Sequence, residues 1–364
     1  MKDIMEIGDK FAISGKLVSV DTFESGHIND TYMLRYMDNG ELCSYTLQRI
    51  NHDIFKAPPA VMENIKRVTE HLHGKSGDCA RKMRRSALTV IPTKSGMDYH
   101  LSENGNFWRM YIFIEQARSY EFITNPEHVF QAAKAYGTFQ KHLSDLPGPR
   151  LNETIPDFHN TPKRFEALEK AIEDDAFNRA ESAKAEIEFA MNCKKIAPIL
   201  LDLNRKEEIP ERITHNDTKL NNVLIDDISG EGICVIDLDT VMPGLSLFDF
   251  GDLVRTATCP APEDEIDLSK IKMDMKLFEP LARGFLSAID GELTQTEKDY
   301  LAFSGKLITL EIGIRFLTDY LVGDIYFKTR RYPHNLERCR TQFALVRSIK
   351  EQEDAMNKFV DSCI

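Results

Sequence analysis

Between residues 11 and 115, short runs of β-branched and aromatic residues alternate with turn signals. The runs at 16–20, 31–36, 44–50, 87–91 and 108–114 predict strands. Breaks such as Asp38-Asn39-Gly40 and Asn104-Gly105-Asn106 separate them. One helix interrupts the series over 59–73, where Val61, Ile65, Val68 and Leu72 recur at helical spacing. Beyond residue 114 the period turns helical. Asn125-Pro126 reads as a cap and first-turn proline, and Val129, Ala132, Ala133, Tyr136, Phe139 and Leu143 trace one face. Charged helical stretches follow over 162–203. Helices return over 278–285, 297–323 and 335–360, and only 212–239 has strand–turn–strand character. The expectation is an α+β chain: a β-rich first lobe over 1–115 with one main helix, then an α-rich second lobe over 116–364 carrying a short β pair.

Composition narrows the classes of partner. A net charge of −12 disfavours wrapping nucleic acid or lying on an anionic membrane. No apolar run approaches the roughly 18 residues of a membrane span, and the first residues carry acids rather than a signal-peptide core. The seven cysteines are scattered without a C-x-x-C pair, which argues for free thiols and a cytoplasmic location rather than a disulfide framework. The expected partners are small molecules, with the chain a monomer or weak homodimer.

The chemistry concentrates in His215-Asn216-Asp217-Thr218-Lys219-Leu220-Asn221-Asn222. Asp217 lies two residues after His215 and five before Asn222, the H-x-D-x-x-x-x-N spacing of a kinase catalytic loop. Asp217 is the candidate base for an attacking hydroxyl. Asn222 is a candidate Mg²⁺ ligand, and Lys219 a point charge for phosphoryl oxygens. Further on, Ile233-Cys234-Val235-Ile236 reads as a buried strand that delivers Asp237 at its end, a fixed carboxylate suited to Mg²⁺. If strand geometry continues, Asp239 points the same way, as a ligand for a second ion or a support for the first. Asp249-Phe250-Gly251 imitates the kinase D-F-G, but no apolar strand leads into it. Asp249 is expected to cap a helix or brace the catalytic loop. The whole is a protein-kinase-like bilobal layout.

These strings resemble the aminoglycoside phosphotransferase/choline kinase superfamily, and within it the bacterial N-acetylhexosamine 1-kinases. The resemblance runs over nearly the whole chain. It rests on the segments 26–29, 212–222, 236–244, 247–252 and 315–326. It implies transfer of the ATP γ-phosphoryl group to the anomeric hydroxyl of GlcNAc or GalNAc. It also implies sugar contacts from His27, Asp217, Arg315 and Tyr326, with Mg²⁺ on Asn222 and Asp237. Thr256 stands where relatives carry a bulkier residue of the sugar pocket.

Departures from the kinase pattern are informative. Gly26 is the one glycine of a loop that replaces G-x-G-x-x-G. On the third strand Gln48 occupies the lysine position, with Arg49 on the other face, leaving Lys219, Mg²⁺ or Arg49 to carry that charge. Glu63, Asn64 and Glu70 are open candidates for a partner on the first-lobe helix. The adenine is expected against the backbone where the lobes join, at Phe113-Ile114-Glu115-Gln116. Rival readings keep the fold for choline, ethanolamine, homoserine, methylthioribose or an aminoglycoside, or make the chain a pseudokinase binding module.

Overall fold

The computed structural model describes residues 2–23, 28–75, 85–121, 125–289 and 291–363. Helix α1 (Lys2–Gly8) precedes strands β1 (Lys16–Phe23), β2 (Asp30–Asp38) and β3 (Glu41–Ile50). Helix α2 (Pro58–Lys75) follows, then β4 (Val90–Ile91), β5 (His100–Leu101) and β6 (Phe107–Ile112). The strands form an antiparallel sheet in the order β1-β2-β3-β6-β4, with β5 also on β6.

Side-chain alternation gives this sheet two unlike faces. Leu34, Tyr36, Leu47, Trp108 and Met110 bury one face with Ile4 and Phe11. The other face carries Thr31, Gln48 and Arg109 side by side, because Gln48 pairs in register with both neighbours. Polar residues on a face turned inward need partners from the rest of the chain.

Strand β7 (Ala117–Arg118) leads into the helical part. Helix α3 (Pro126–Leu143) is capped by Asn125, as its sequence predicts. Then come α4 (Thr161–Asp174), α5 (Lys184–Cys193) and α6 (Ile199–Arg205). The charged stretch therefore breaks instead of running on. Asp175 adopts a left-handed conformation, and its carboxylate accepts the Arg179 and Ala180 N–H groups. Short strands β8 (Arg212–Thr214), β9 (Val223–Asp226), β10 (Gly232–Val235) and β11 (Met242–Gly244) form two small sheets, β10-β9-β7 and β11-β8. Helices α7 (Ser246–Ala257), α8 (Met275–Ile289), α9 (Gln295–Asp299), α10 (Leu301–Leu321) and α11 (His334–Cys363) complete the fold.

The periodicity reading missed α1, α7 and the short strands β5, β7 and β11, and it overdrew one strand. The strand expected over 87–91 pairs only at Val90 and Ile91. Helix α7 has no polar face, since every residue but Thr256 is buried, and a helix buried all round shows no amphipathic period.

Helix α2 is tied to the segment beyond β10 by Asn64, not by an acidic residue. The fully buried Asn64 amide donates to Val241 O (3.0 Å) and Asn152 O (2.8 Å) and accepts the Asn152 N–H (2.9 Å). Glu63 accepts only from Asn152 at the surface. Replacing Asn64 with Ala strands three backbone groups, so urea denaturation should show a loss of about 3 kcal/mol.

Candidate active site

The catalytic loop is held by a buried carboxylate. Asp249, in the first turn of α7, accepts the His215 N–H (2.9 Å) and the Asn216 N–H (2.7 Å). Gln140 of α3 donates to the same carboxylate (2.6 Å), and Thr218 donates to the Asp249 carbonyl (2.7 Å). Asp249 is thus a brace, as its sequence context indicates. Its burial lifts its pKa, partly offset by these donors and by His215. The His215 Nε2–H donates to Ile236 O (2.9 Å), leaving Nδ1 to accept the Asp217 N–H (3.3 Å).

Asn216 has φ +63, in the left-handed region that Asn tolerates. Its side chain spans to Thr240 O (3.0 Å) and accepts from Thr214 (3.0 Å). Gly244 is required beside it: a Cβ there would lie 2.3 Å from Thr214 Oγ1 and 2.7 Å from Asn216 Oδ1. Behind the loop, His159 donates to Asn216 O (3.0 Å) and to Glu311 (2.9 Å). Burial disfavours charge on both, but each raises the other's ionisation: His159 is shifted up and Glu311 down.

This frame presents Asp217 and Asn222. Asn222 donates from its amide to Asp217 O (3.0 Å), and its own carbonyl accepts the Ile236 N–H (2.9 Å). That last bond places Asn222 beside the strand end carrying Asp237. Lys219 Nζ lies 3.0 Å from Asp217 Oδ1. Burial pushes the Asp217 carboxyl up, but Lys219, His215 and Arg255 together outweigh it, so Asp217 is held below the ordinary carboxylate range.

Strand geometry does not continue past Asp237, which has φ +60 and opens a 3₁₀ turn over 238–240. Asp239 meets the first-lobe sheet while staying beside the Asp237 carboxyl. Its two oxygens accept from both terminal nitrogens of Arg109, and Asn29 adds a third bond (2.8 Å). The sequence reading left Asp239 as a ligand for a second ion or a support for the first, and these bonds to the sheet fit the support.

Burial and the neighbouring charges of Asp239 and Asp217 push the Asp237 carboxyl up to about 7. A half-buried carboxyl with two acidic neighbours and no ion pair of its own among the described residues, next to the Asn222 amide, fits a divalent cation. Among the described residues no group of three or more His, Cys, Asp or Glu forms a cage. That suits Mg²⁺, which takes few protein ligands and completes its shell with water and phosphates.

Gln48 and Arg49 are not brought to this centre. The Gln48 amide donates to Thr31 (3.0 Å) and accepts from Arg109 (3.0 Å). Arg49 lies on the opposite face and binds Asp30 and Asn106. Phe113 stacks on Phe23 with ring centroids 6.3 Å apart, and the Glu115 side chain accepts from Ser44 (3.0 Å). Arg85 takes the Glu115 and Gln116 carbonyls (2.9 Å each), so that edge of the joint is already bound. Gly26 and His27 lie outside the described residues.

A cavity of about 310 Å³ opens in front of Asp217 and is also lined by Lys219, Arg255, Arg315 and Tyr326. The Arg315 guanidinium sits 5.5 to 5.7 Å from the ring centroids of Phe158, Tyr326 and Phe327. Arg315 and Tyr326 thus line the same cavity as Asp217. Asp319, missed by the sequence reading, fixes the Tyr326 loop by accepting the Ile325, Tyr326 and Phe327 N–H groups (2.8–3.0 Å). Thr256 does not line this cavity. It faces an adjoining one, its hydroxyl bonded to Asp252 O, because successive residues turn about 100° around a helix and Arg255 takes the inward place.

A braced loop with an aspartate, an asparagine and a strand-end aspartate, between a sheet and a helical lobe, defines a phosphoryl-transfer site of the protein-kinase-like class. The family described as "Phosphotransferase enzyme family" matches residues 19–274, and the chain belongs to it. Solved structures agree on the fold. An aminoglycoside phosphotransferase from Alicyclobacillus acidocaldarius superposes with TM-score 0.57 at 11% identity, covering 98% of this chain and 96% of the other. A choline kinase from Cryptosporidium parvum gives 0.56 at 14%, covering 99% and 98%. A spectinomycin phosphotransferase in complex with ADP and spectinomycin gives 0.52 at 12%, covering 100% and 97%.

Two outcomes are expected. A raised Asp237 pKa means that the metal-free protein loses stability as pH rises from the ordinary 3.8 toward about 7. Asp237→Asn should therefore melt above wild type at neutral pH and beyond, with the gap closing toward pH 4, and Mg²⁺ should stabilise only wild type. Gly244→Ala should lower both melting temperature and kcat, as Thr214 and Asn216 are forced apart.

Proposed function

We propose that this chain transfers the γ-phosphoryl group of ATP to the anomeric hydroxyl of an N-acetylhexosamine, GlcNAc or GalNAc. The observation that carries the acceptor class is the cavity before Asp217. Its lining holds five basic residues (Lys219, Arg255, Arg315, Lys328 and Arg338) against three acidic ones. A cationic acceptor such as choline, ethanolamine or an aminoglycoside would meet repulsion there. An uncharged sugar instead offers hydroxyls and an amide carbonyl to the Arg315 fork and an apolar ring face to the aromatic side chains. The resemblance of 26–29 and 315–326 to N-acetylhexosamine 1-kinases supports the same choice.

In this reading Asp217, kept ionised by Lys219, accepts the hydrogen bond of the anomeric hydroxyl and takes its proton as the bond to phosphorus forms. A loose transition state does not ask for early proton removal, so a weakly basic carboxylate suffices. Lys219 remains beside Asp217 and offers its charge to the transferring oxygens. Asn222 and Asp237 would hold Mg²⁺, which would neutralise charge on the phosphates. The bound ADP of the spectinomycin phosphotransferase supports a nucleotide between the sheet and the helices here. We place the lobe boundary at 115/116 and the adenine against the backbone of Phe113–Gln116, at groups other than the Glu115 and Gln116 carbonyls that Arg85 holds. Among the described residues no helix is long and apolar enough to cross a membrane.

An ADP-release assay over a panel of GlcNAc, GalNAc, glucuronate, choline, homoserine, methylthioribose and kanamycin tests the acceptor. Turnover is expected with the N-acetylhexosamines, and phosphorus NMR should place the phosphate on C1. No turnover with either sugar, or a 6-phosphate product, would overturn the reading. Asp217→Asn should lower kcat on the order of 10³-fold with an unchanged melting temperature.

A further inference from the structure

Position 48 lacks the strand-three lysine of a kinase, yet the sheet face around it is not without charge. Arg109 lies directly across from Gln48 and is 1% exposed. Its Nε donates to Gln48 Oε1, and its two terminal nitrogens grip the Asp239 carboxylate. Asp239 is 2% exposed and also takes the Asn29 amide. Asn29 in turn accepts the Asn51 N–H (2.9 Å), so the start of β2 and the end of β3 join the same cluster. Arg109 and Asn29 thus converge on a residue two positions beyond Asp237.

A buried ion pair adds little net stability over an apolar pair of like volume. What a bidentate arginine–carboxylate contact does supply is a fixed distance and orientation. Arg109 has spent its fork on Asp239 and Gln48. It is therefore oriented to act through Asp239, not by touching a phosphate.

We propose that Arg109 is the positioning cation of the first lobe. Through Asp239 it sets the place of Asp237 relative to the sheet, and Gln48 and Asn29 hold the pair in register. The missing lysine is thus replaced by a charge one strand away that orders the metal segment. This inference rests on the phosphotransferase reading above.

The test compares full-length Arg109→Met, Asp239→Asn, the double variant and Gln48→Leu with wild type. Mg²⁺-dependent binding of a fluorescent ATP analogue and steady-state kinetics with the best acceptor are the readouts. Arg109→Met should lower kcat about 100-fold and raise the half-saturating Mg²⁺ about tenfold, with acceptor KM nearly constant, and the double variant should be no worse, since the two residues act as a unit. Gln48→Leu keeps the ion pair and loosens its register. It should show the same pattern at roughly a tenth of the effect, and it decides the matter if Arg109→Met does not fold. Folded variants with wild-type kcat and Mg²⁺ requirement, or with lowered melting temperature alone, would overturn the proposal. A wild type that binds no nucleotide with Mg²⁺ would instead overturn the phosphotransferase reading itself.

Discussion

The Asp249 carboxylate accepts two consecutive backbone N–H groups, those of His215 and Asn216, inside a site where it is fully buried. The geometry of the centre follows from that contact. Asn216 occupies the left-handed region only because both of its flanks are tied: its N–H to Asp249 and its carbonyl to His159. A residue held so is costly unless its surroundings over-determine it. Here α7, α3, the β11-β8 pair and the Glu311-bound His159 all contribute, and Asp217 is the next residue in line.

Three further aspartates share this small volume and meet three different fates. Asp217 is kept ionised by Lys219, and Asp239 by Arg109, each against the upward push of burial. Asp237 has no such cation of its own and feels the other two, so its pKa rises. The division is a physical assignment of roles. In the proposed reading the first carboxylate would accept the proton, the second is a strut, and the third would hold Mg²⁺.

The lobes are joined at this same place. Arg109 reaches Asp239 from the sheet, and Asn64 reaches Val241 from α2. A protein kinase joins a strand lysine to a helix glutamate within one lobe. Here the strand and the helix each bind the segment after β10, so the first lobe is registered on the metal segment directly.

Much of this was legible in the residues. Asp217 and Asn222 share one short loop, and the β9-β10 hairpin returns the chain so that Asp237 ends beside Asn222. The period-2 and period-3.6 runs marked most strands and the long helices, because each buries one face. Helix α7 was not legible, since burial on all sides erases the period. Arg109 left one signal, a lone charge among Trp108, Met110 and Tyr111, whose partner 130 residues away no pattern could name. The choice between the two roles left open for Asp239 was hidden for the same reason: its direction depends on a left-handed turn at Asp237 and on a sheet folded from distant strands. The H-x-D-x-x-x-x-N segment, taken with an aspartate ending an apolar strand at 237, pointed from sequence alone to a phosphoryl-transfer loop. The tertiary structure alone decided which carboxylates keep their charge, because that depends on which cations the packing of two lobes brings within reach.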